Sequence, residues 1–312
     1  MNYPKISIII PVYNVEKYLR ESLNSCVNQT LDDIEIICVD DCSTDNSYKI
    51  LEEYQQKDSR IKILRHETNK NLGAARNNGL QNATGEYIWF VDSDDYIDTK
   101  ACQILYDAIQ KFDVEMLCFS AVNFSEQGNM RYFSYPNCFQ GVKINTVYHP
   151  KTNWKTIKFT NLNVSACMYL TKRSIIKKFR FREGVWHEDT DFTPILLSSV
   201  NSFCYIPYTA YFYRTNLISI TQKPVSQKRL EDYITMLQSL DNFVTGNKTN
   251  RHHFLYKFLT DQIDYIFELC QSAKNKPNNL NILLDLKTKY RQPRHLIKRL
   301  VGKTLKKLLE DF

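Results

Sequence analysis

Apolar and polar positions in the first hundred residues fall into two alternating kinds of block. Ile6 to Val12, Ile34 to Val39, Arg60 to Arg65 and Tyr87 to Val91 are short runs rich in β-branched and bulky residues, as buried strands require. Between them, Val15 to Asn28, Asp45 to Lys57 and Leu72 to Gln81 carry apolar residues at helical spacing. Ser43 or Thr44 is the expected cap of the second helix. Strand–helix alternation of this kind predicts an α/β fold, a mostly parallel sheet with helices on both faces. The middle of the chain is less regular. It predicts a helix over Ala101–Lys111, a strand over Glu115–Ser120, a polar and aromatic stretch to Asn163, a strand over Ala166–Leu170 and a short basic helix. From about Gln227 the periodicity is helical almost throughout.

Ligands of parallel sheets bind beyond the carboxyl ends of the strands, and the polar residues collect there. The first strand runs into Tyr13 and Asn14, the second into Asp40, Asp41 and Cys42, the fourth into Asp92, Ser93, Asp94 and Asp95. Crowded carboxylates repel by about 1 kcal/mol per pair at 4 Å even in water, so a cluster at a fixed strand end implies a compensating charge. A turn there can aim Asp92 and Asp94 at one Mg²⁺ or Mn²⁺, which takes hard oxygen ligands and completes its shell with waters and phosphates. An acidic turn that only caps the next helix fits the same letters, and Asp95 is expected to do no more than that.

Composition narrows the setting. A chain of 312 residues with 43% hydrophobic and 24% charged residues is ordinary globular protein, one large domain or two modest ones. Twenty Tyr and 17 Phe argue against disorder. The nine cysteines form no CxxC pair, which speaks against a structural zinc site. Their odd number, with no signal-peptide pattern, predicts reduced thiols in a cytosol. The longest aliphatic run, Ile6 to Val12, is too short to span a bilayer.

Net charge is +7 and is unevenly placed: the segment from Lys287 to Lys307 holds nine basic residues and no acid. Leu296, Ile297, Leu300, Val301, Leu305, Leu308 and Leu309 follow helical spacing within the same tail, with Lys and Arg on the other face. This predicts an interfacial helix on anionic lipid. The alternatives are a helix packed on its own domain, or on a second copy of the chain as a homodimer. Nucleic acid is not an expected partner, since no recognition motif accompanies the basic residues.

PVYN (Pro11–Asn14), VDDCSTD (Val39–Asp45), GAARNNG (Gly73–Gly79) and FVDSDD (Phe90–Asp95) stand in the order and spacing of family-2 glycosyltransferases. The chain resembles that family strongly over the first hundred residues and more thinly to about Thr221. The resemblance implies a GT-A fold followed by a C-terminal helical region: residues 1–98 as the nucleotide-sugar half, 99–222 as the acceptor-binding and catalytic half, and 223–312 as helices with the basic tail. It implies a UDP-sugar donor, Mn²⁺ or Mg²⁺ as cofactor, and inverting transfer. Such transfer needs a base for the acceptor hydroxyl and positive charge at the departing diphosphate.

The roles follow position by position. Pro11, Tyr13, Asp40 and Asp41 match the elements that hold base and ribose, and Arg76 matches an arginine at the nucleotide end of the site. Asp92 and Ser93 face the donor, and Asp94 with Asp92 holds the metal. WHEDTDF (Trp186–Phe192) resembles the family's acidic motif before a helix. By that likeness Asp189 is the base and Glu188 positions the acceptor. His187 is chemically able to be the base instead, and Asp191 is expected to cap or face solvent. YFYRTNLISIT (Tyr211–Thr221) resembles an arginine–serine loop after the last core strand, so Arg214 and Ser219 would close over the diphosphate. The chain departs from the pattern at Cys42, where the family commonly has glycine, and at Lys70, Asn71 and Leu72, where glycines are frequent.

The function implied is metal-dependent inverting transfer of a hexose or N-acetylhexosamine, with β linkage, to a hydroxyl of a surface glycan. Lipooligosaccharide, capsule and lipid-linked oligosaccharide are the acceptor classes. The enzyme would sit in the cytoplasm, peripherally on the inner face of the cytoplasmic membrane. Two other classes remain: a nucleotide-sugar-binding protein without activity, and a sugar nucleotidyltransferase. The second would need a glycine-rich basic loop after the first strand, and PVYNVEKY has none.

Overall fold

The computed structural model describes residues 3–125, 130–133, 142–150, 162–215, 225–246 and 253–290. Its first half runs β1 (Ile6–Val12), α1 (Glu16–Val27), β2 (Ile34–Asp40), α2 (Ser47–Gln55), β3 (Ile61–Arg65), α3 (Asn71–Asn82), β4 (Tyr87–Phe90), β5 (Tyr96–Ile97) and α4 (Ala101–Phe112). Then come β6 (Met116–Ser125), β7 (Met130–Phe133), β8 (Val147–Tyr148), β9 (Tyr169–Lys172), α5 (Arg173–Ile176), α6 (Asp189–Ser199) and β10 (Phe203–Thr215). Three helices follow: α7 (Gln227–Gly246), α8 (His253–Ser272) and α9 (Leu280–Tyr290).

The described strands form one sheet in the order β3-β2-β1-β4-β9-β6-β10-β5, with β7 on β6 and β8 on β10. β3, β2, β1 and β4 are mutually parallel, as the alternation predicted. Every residue of β1 and β2 is buried, which is what helices on both faces demand of an apolar run. Register then places the site. Val12 stands opposite Asp40, and the β1–β4 pairing ends at Ile9 and Phe90, so three strand ends open onto one rim. Pro11 lies beyond the last β4 pair, where its missing N–H costs that ladder nothing. Beyond β4 the sheet is mixed: β9 is antiparallel to both β4 and β6, whereas β6 and β10 are parallel.

Three local expectations are corrected. Helix α2 starts at Ser47 with Asn46 in the cap position, and Asp45 Oδ1 accepts the Ser47 N–H at 2.9 Å. Ser43 instead accepts the Asn14 N–H at 3.1 Å, and the Thr44 N–H donates to Asn14 Oδ1 at 2.8 Å. The strand expected over Ala166–Leu170 begins as a 3₁₀ turn at Ala166–Met168, pinned by the Trp89 indole N–H on the Cys167 carbonyl at 2.9 Å. Tyr211 to Thr215, read as loop, are the last residues of β10, paired with β6 as far as Thr215 and Ser125.

Trp89, Phe90, Phe119, Phe203, Tyr205 and Tyr211 are fully buried around the middle of the sheet. Burying a side chain of this kind contributes roughly 1.5–3 kcal/mol. Helix α7 packs against α6, α8 and α9, and its Asp241 accepts from Lys289 Nζ at 2.7 Å and the Tyr290 hydroxyl at 2.6 Å. Among the described residues no helix is long and apolar enough to cross a membrane.

Candidate active site

Among the described residues, four of the six non-glycine residues with a left-handed backbone lie around the rim formed by β1, β2 and β4. Asn14, Cys42, Asn71 and His187 have φ of 48°, 65°, 71° and 60°, the left-handed region that side chains other than glycine's seldom enter. Cys42 and Asn71 are positions where the chain departs from glycine. The glycine-like backbone is therefore kept there with a different residue in it. Strain of this sort, about 1–3 kcal/mol each, persists only where the surroundings enforce it.

At the β1–β2 end the Asp41 N–H donates to the Val12 carbonyl at 2.8 Å. Asp40 is fully buried and accepts from the Ser43 N–H at 3.2 Å, with Arg65 Nε at 3.1 Å. Asp41, also buried, accepts from the Lys70 N–H at 2.8 Å and pairs with His66 Nδ1 at 2.7 Å. Asn78 Nδ2 donates to His66 Nε2 at 3.0 Å, so Nδ1 carries the imidazole proton toward Asp41. Pro11 is buried, whereas Tyr13 is 49% exposed and presents its ring to solvent.

At the end of β4 a turn runs from Asp92 to Asp95, closed by the Asp95 N–H on the Asp92 carbonyl at 3.1 Å. Burial alternates through it: Asp92 and Asp94 are partly exposed, Ser93 and Asp95 buried. Two carboxylates thus face outward and one faces the core. Asp95 is consumed by the fold, accepting from the Tyr211 hydroxyl at 2.6 Å and the Arg214 N–H at 2.7 Å. Burial, and then Asp94 and Asp92, hold it well above the usual carboxylate range. It ties the turn to β10 and does not cap the next turn. The Tyr211 hydroxyl also accepts the Asp92 N–H at 3.1 Å.

Asp189 opens α6 directly after Glu188, so both carboxylates sit at a helix N-terminus, which favours negative charge. Glu188 is 3% exposed and ion-paired with Arg76. Burial raises its pKa, against the pull of Arg76. Asp189 is partly exposed, and burial followed by the neighbouring Glu188 pushes it up to about 8. His187 stacks on Tyr233 with ring centroids 4.8 Å apart, and burial followed by Arg229 lowers its pKa to about 4. Asp191, expected to cap or to face solvent, lies in the first turn of α6 and is buried, with Arg182 Nη2 at 3.7 Å.

Arg76, expected at the nucleotide end, has its guanidinium buried between Glu188 and Asp92, with Nη2 2.7 Å from Asp92 Oδ1. Arg214 lies in β10 and not in a loop. Its Nε donates to the Asp94 carbonyl at 2.8 Å, its Nη2 pairs with Glu21, and its Cζ stands 4.7 Å from the Tyr18 ring and 4.6 Å from that of Phe124. Ser219 and the tail 291–312 lie outside the described residues. The pairing of Glu21 with Arg214 is invisible in one dimension, since Glu21 belongs to no motif.

Among the described residues no three His, Cys, Asp or Glu side chains gather as a metal cage. A Mg²⁺-type ion needs none, since one or two carboxylates with waters and substrate phosphates suffice. Asp92, one oxygen of which accepts from Arg76, and Asp94 are the carboxylates of this turn that could supply them.

Residues 7–180 match the family described as Glycosyl transferase family 2. An uncharacterized glycosyltransferase of Haemophilus influenzae is 36% identical over 229 residues, covering 71% of this chain and 83% of the relative. The glycosyltransferase GlyA of Streptococcus pneumoniae is 34% identical over 224 residues, 70% of this chain but only 32% of GlyA. The chain thus spans about a third of that relative's length. Among solved structures, TarS 1-349 of S. aureus in complex with UDP-GlcNAc superposes with a TM-score of 0.71 at 24% identity, over 92% of this chain and 80% of the neighbour. That likeness carries the fold.

Proposed function

This chain belongs to glycosyl transferase family 2, and from that premise we propose that it moves a hexose or N-acetylhexosamine from a UDP-sugar to a hydroxyl of a surface glycan, inverting an α-linked donor to a β-linked product. The observation that carries the reading is the meeting of two carboxylate motifs at one rim: Arg76 touches both Asp92 and Glu188. A donor-phosphate element and an acceptor-activating element are thereby within one guanidinium of each other. TarS, whose fold the chain shares, has been crystallised with UDP-GlcNAc and with UDP, which supports a uridine donor.

In this reading Tyr13 stacks on the base, while Pro11, Asp40 and Asp41 shape the nucleoside end. Asp92 and Ser93 line the donor, and Asp94 with Asp92 would hold Mn²⁺ or Mg²⁺. Enzymes of the family commonly use a divalent metal, and a bound ion would supply positive charge at the departing diphosphate. Asp189 takes the proton from the acceptor hydroxyl as that oxygen attacks the anomeric carbon, and Glu188 orients it. Arg214 serves the same region through the Asp94 carbonyl that it holds. Lipooligosaccharide, capsule and lipid-linked oligosaccharide are the acceptor classes proposed. The basic tail would rest on the inner face of the cytoplasmic membrane.

A panel of nucleotide sugars scored for Mn²⁺-dependent UDP release, with Asp189→Asn alongside, tests the reading. Transfer from a UDP-sugar is expected. Asp189→Asn should lower kcat by at least about 1,000-fold while UDP still binds. Full activity in that variant, or pyrophosphate released from UTP and a sugar phosphate, would overturn it.

A further inference from the structure

Arg76 is a deeply buried cation whose partners come from both carboxylate motifs. Nη1 donates to Glu188 and Nη2 to Asp92, the latter at 2.7 Å. Its Cζ lies 5.4 Å from the Phe181 ring and 5.9 Å from the Phe90 ring, and the residue is 2% exposed. Turning Nη1 to a nucleotide would leave the buried Glu188 carboxylate unpaired, which is strongly unfavourable.

We propose that Arg76 is a positioning residue that sets the spacing between the acceptor-activating motif and the metal-binding turn by bridging Glu188 to Asp92. The inference rests on the reading of Asp189 as base and Asp94 as metal ligand. Helix α3 is built for this task at three successive points. A Cβ on Gly73 would run into the Arg182 carbonyl oxygen and approach Glu188 Cγ to 3.4 Å, so only glycine allows the helix so close. The Asn77 side chain pairs with the Phe181 backbone in both directions, Nδ2 to the carbonyl and Oδ1 from the N–H, each at 2.9 Å. Asn77 Nδ2 also reaches Glu183 Oε1 at 3.0 Å. Gly73 and Asn77 hold the chain that leads to Glu188, and between them Arg76 alone reaches on to Asp92.

The geometry makes the reaction sensitive to this bridge. Glu188 immediately precedes Asp189, and Asp92 shares a turn with Asp94. A slip of about 1 Å between reacting groups costs on the order of 100-fold in rate. The planar fork of arginine serves two carboxylates at once, which the point charge of lysine does not.

The test is a double-mutant cycle of Arg76→Met, Glu188→Gln and the combined variant, with Arg76→Lys alongside. Each is measured for melting temperature, kcat and UDP affinity by calorimetry with Mn²⁺. Arg76→Met should lower kcat about 100-fold with UDP affinity changed by less than about threefold. Lysine should not rescue it. The combined variant should be no slower than either single one, because the two side chains act as a unit. UDP affinity falling in step with kcat would make Arg76 a nucleotide ligand and overturn the proposal. Unchanged kcat, or losses that multiply in the combined variant, would overturn it as well. If Arg76→Met does not fold, Glu188→Gln against the combined variant decides alone: equal kcat supports the bridge, and a further tenfold loss removes it. An active Asp189→Asn would sink the assignment of the base, whereas an inactive Asp189→Asn with an additive cycle sinks the bridge only.

Discussion

Asp95 and Asp189 are both held above the usual carboxylate range, yet their settings differ. Asp95 is closed off by Tyr211 and Arg214, so its proton state is part of the fold. Asp189 keeps some exposure at the head of α6, where burial and Glu188 push it up to about 8. A base works in its ionised form. With a raised pKa, kcat/KM should therefore climb roughly tenfold per unit from about pH 6 and level off above about 8. Initial rates across that range provide the check. A His187 base, with its pKa lowered to about 4, would leave the profile flat over the same interval. The letters HED offer both residues; their settings differ in burial and in the ring stack of His187 on Tyr233, neither of which is visible in sequence. Cys42 and Asn71 teach the converse: at these two departures from glycine the backbone is left-handed with another residue in place.

At the scale of elements, the parallel half was legible because β1, β2 and β4 are apolar apart from Ser7 and Glu35 until their last residues, and further polar residues collect where the strands end. β10 was not, because Pro207 interrupts its letters. The structure absorbs the proline in a register shift between Tyr205 and Thr209, and the strand continues to Thr215. One charged residue in an apolar strand, Glu35, shows how the far end of the sheet is held. Its carboxylate accepts from Ser7 Oγ at 2.6 Å, the Thr84 N–H at 2.6 Å, the Gly85 N–H at 3.0 Å and Lys62 Nζ at 2.6 Å, joining β1, β2, β3 and the turn before β4. Burial alone would raise its pKa, but the bonds from Lys62, Ser7 and Thr84 bring it down to about 2. A folded pKa below the unfolded one stabilises the protein above about pH 4.5, and that stability drains as pH falls toward 2. Glu35→Gln should cost about 2–3 kcal/mol at neutral pH, allowing for the half-exposed Lys62. In urea unfolding, the gap to the parent should narrow at about pH 3. A gap that stays constant would mean that the carboxylate's charge is not what holds this end.

For the whole molecule, the decisive quantity is where the basic surplus lies. Nine of the 41 basic residues and none of the 34 acidic ones fall between Lys287 and Lys307, so the rest of the chain is slightly acidic. Two of the nine are already committed to the helical region: Lys289 to Asp241 at 2.7 Å, and Lys287 to Asp264 at 3.2 Å with its Nζ 3.5 Å from the Phe267 ring centroid. The other seven lie outside the described residues; a basic residue near anionic lipid adds about 1 kcal/mol and is screened by salt. An acidic body with a basic tail should bind lipid in one orientation, tail down. The full chain is therefore expected to sediment with phosphatidylglycerol vesicles at low ionic strength, to detach at about 0.5 M salt, and to ignore phosphatidylcholine vesicles. Truncation before Arg294 should abolish sedimentation yet leave kcat on a soluble acceptor within about twofold, while transfer to a lipid-borne acceptor falls. If the truncated chain still sediments, the membrane role belongs elsewhere on the molecule. If it leaves vesicle binding untouched but dissociates a dimer, the tail is a contact between copies. Loss of rate confined to the lipid-borne acceptor is the outcome that ties the tail to the reaction, because only a two-dimensional search for the acceptor depends on it.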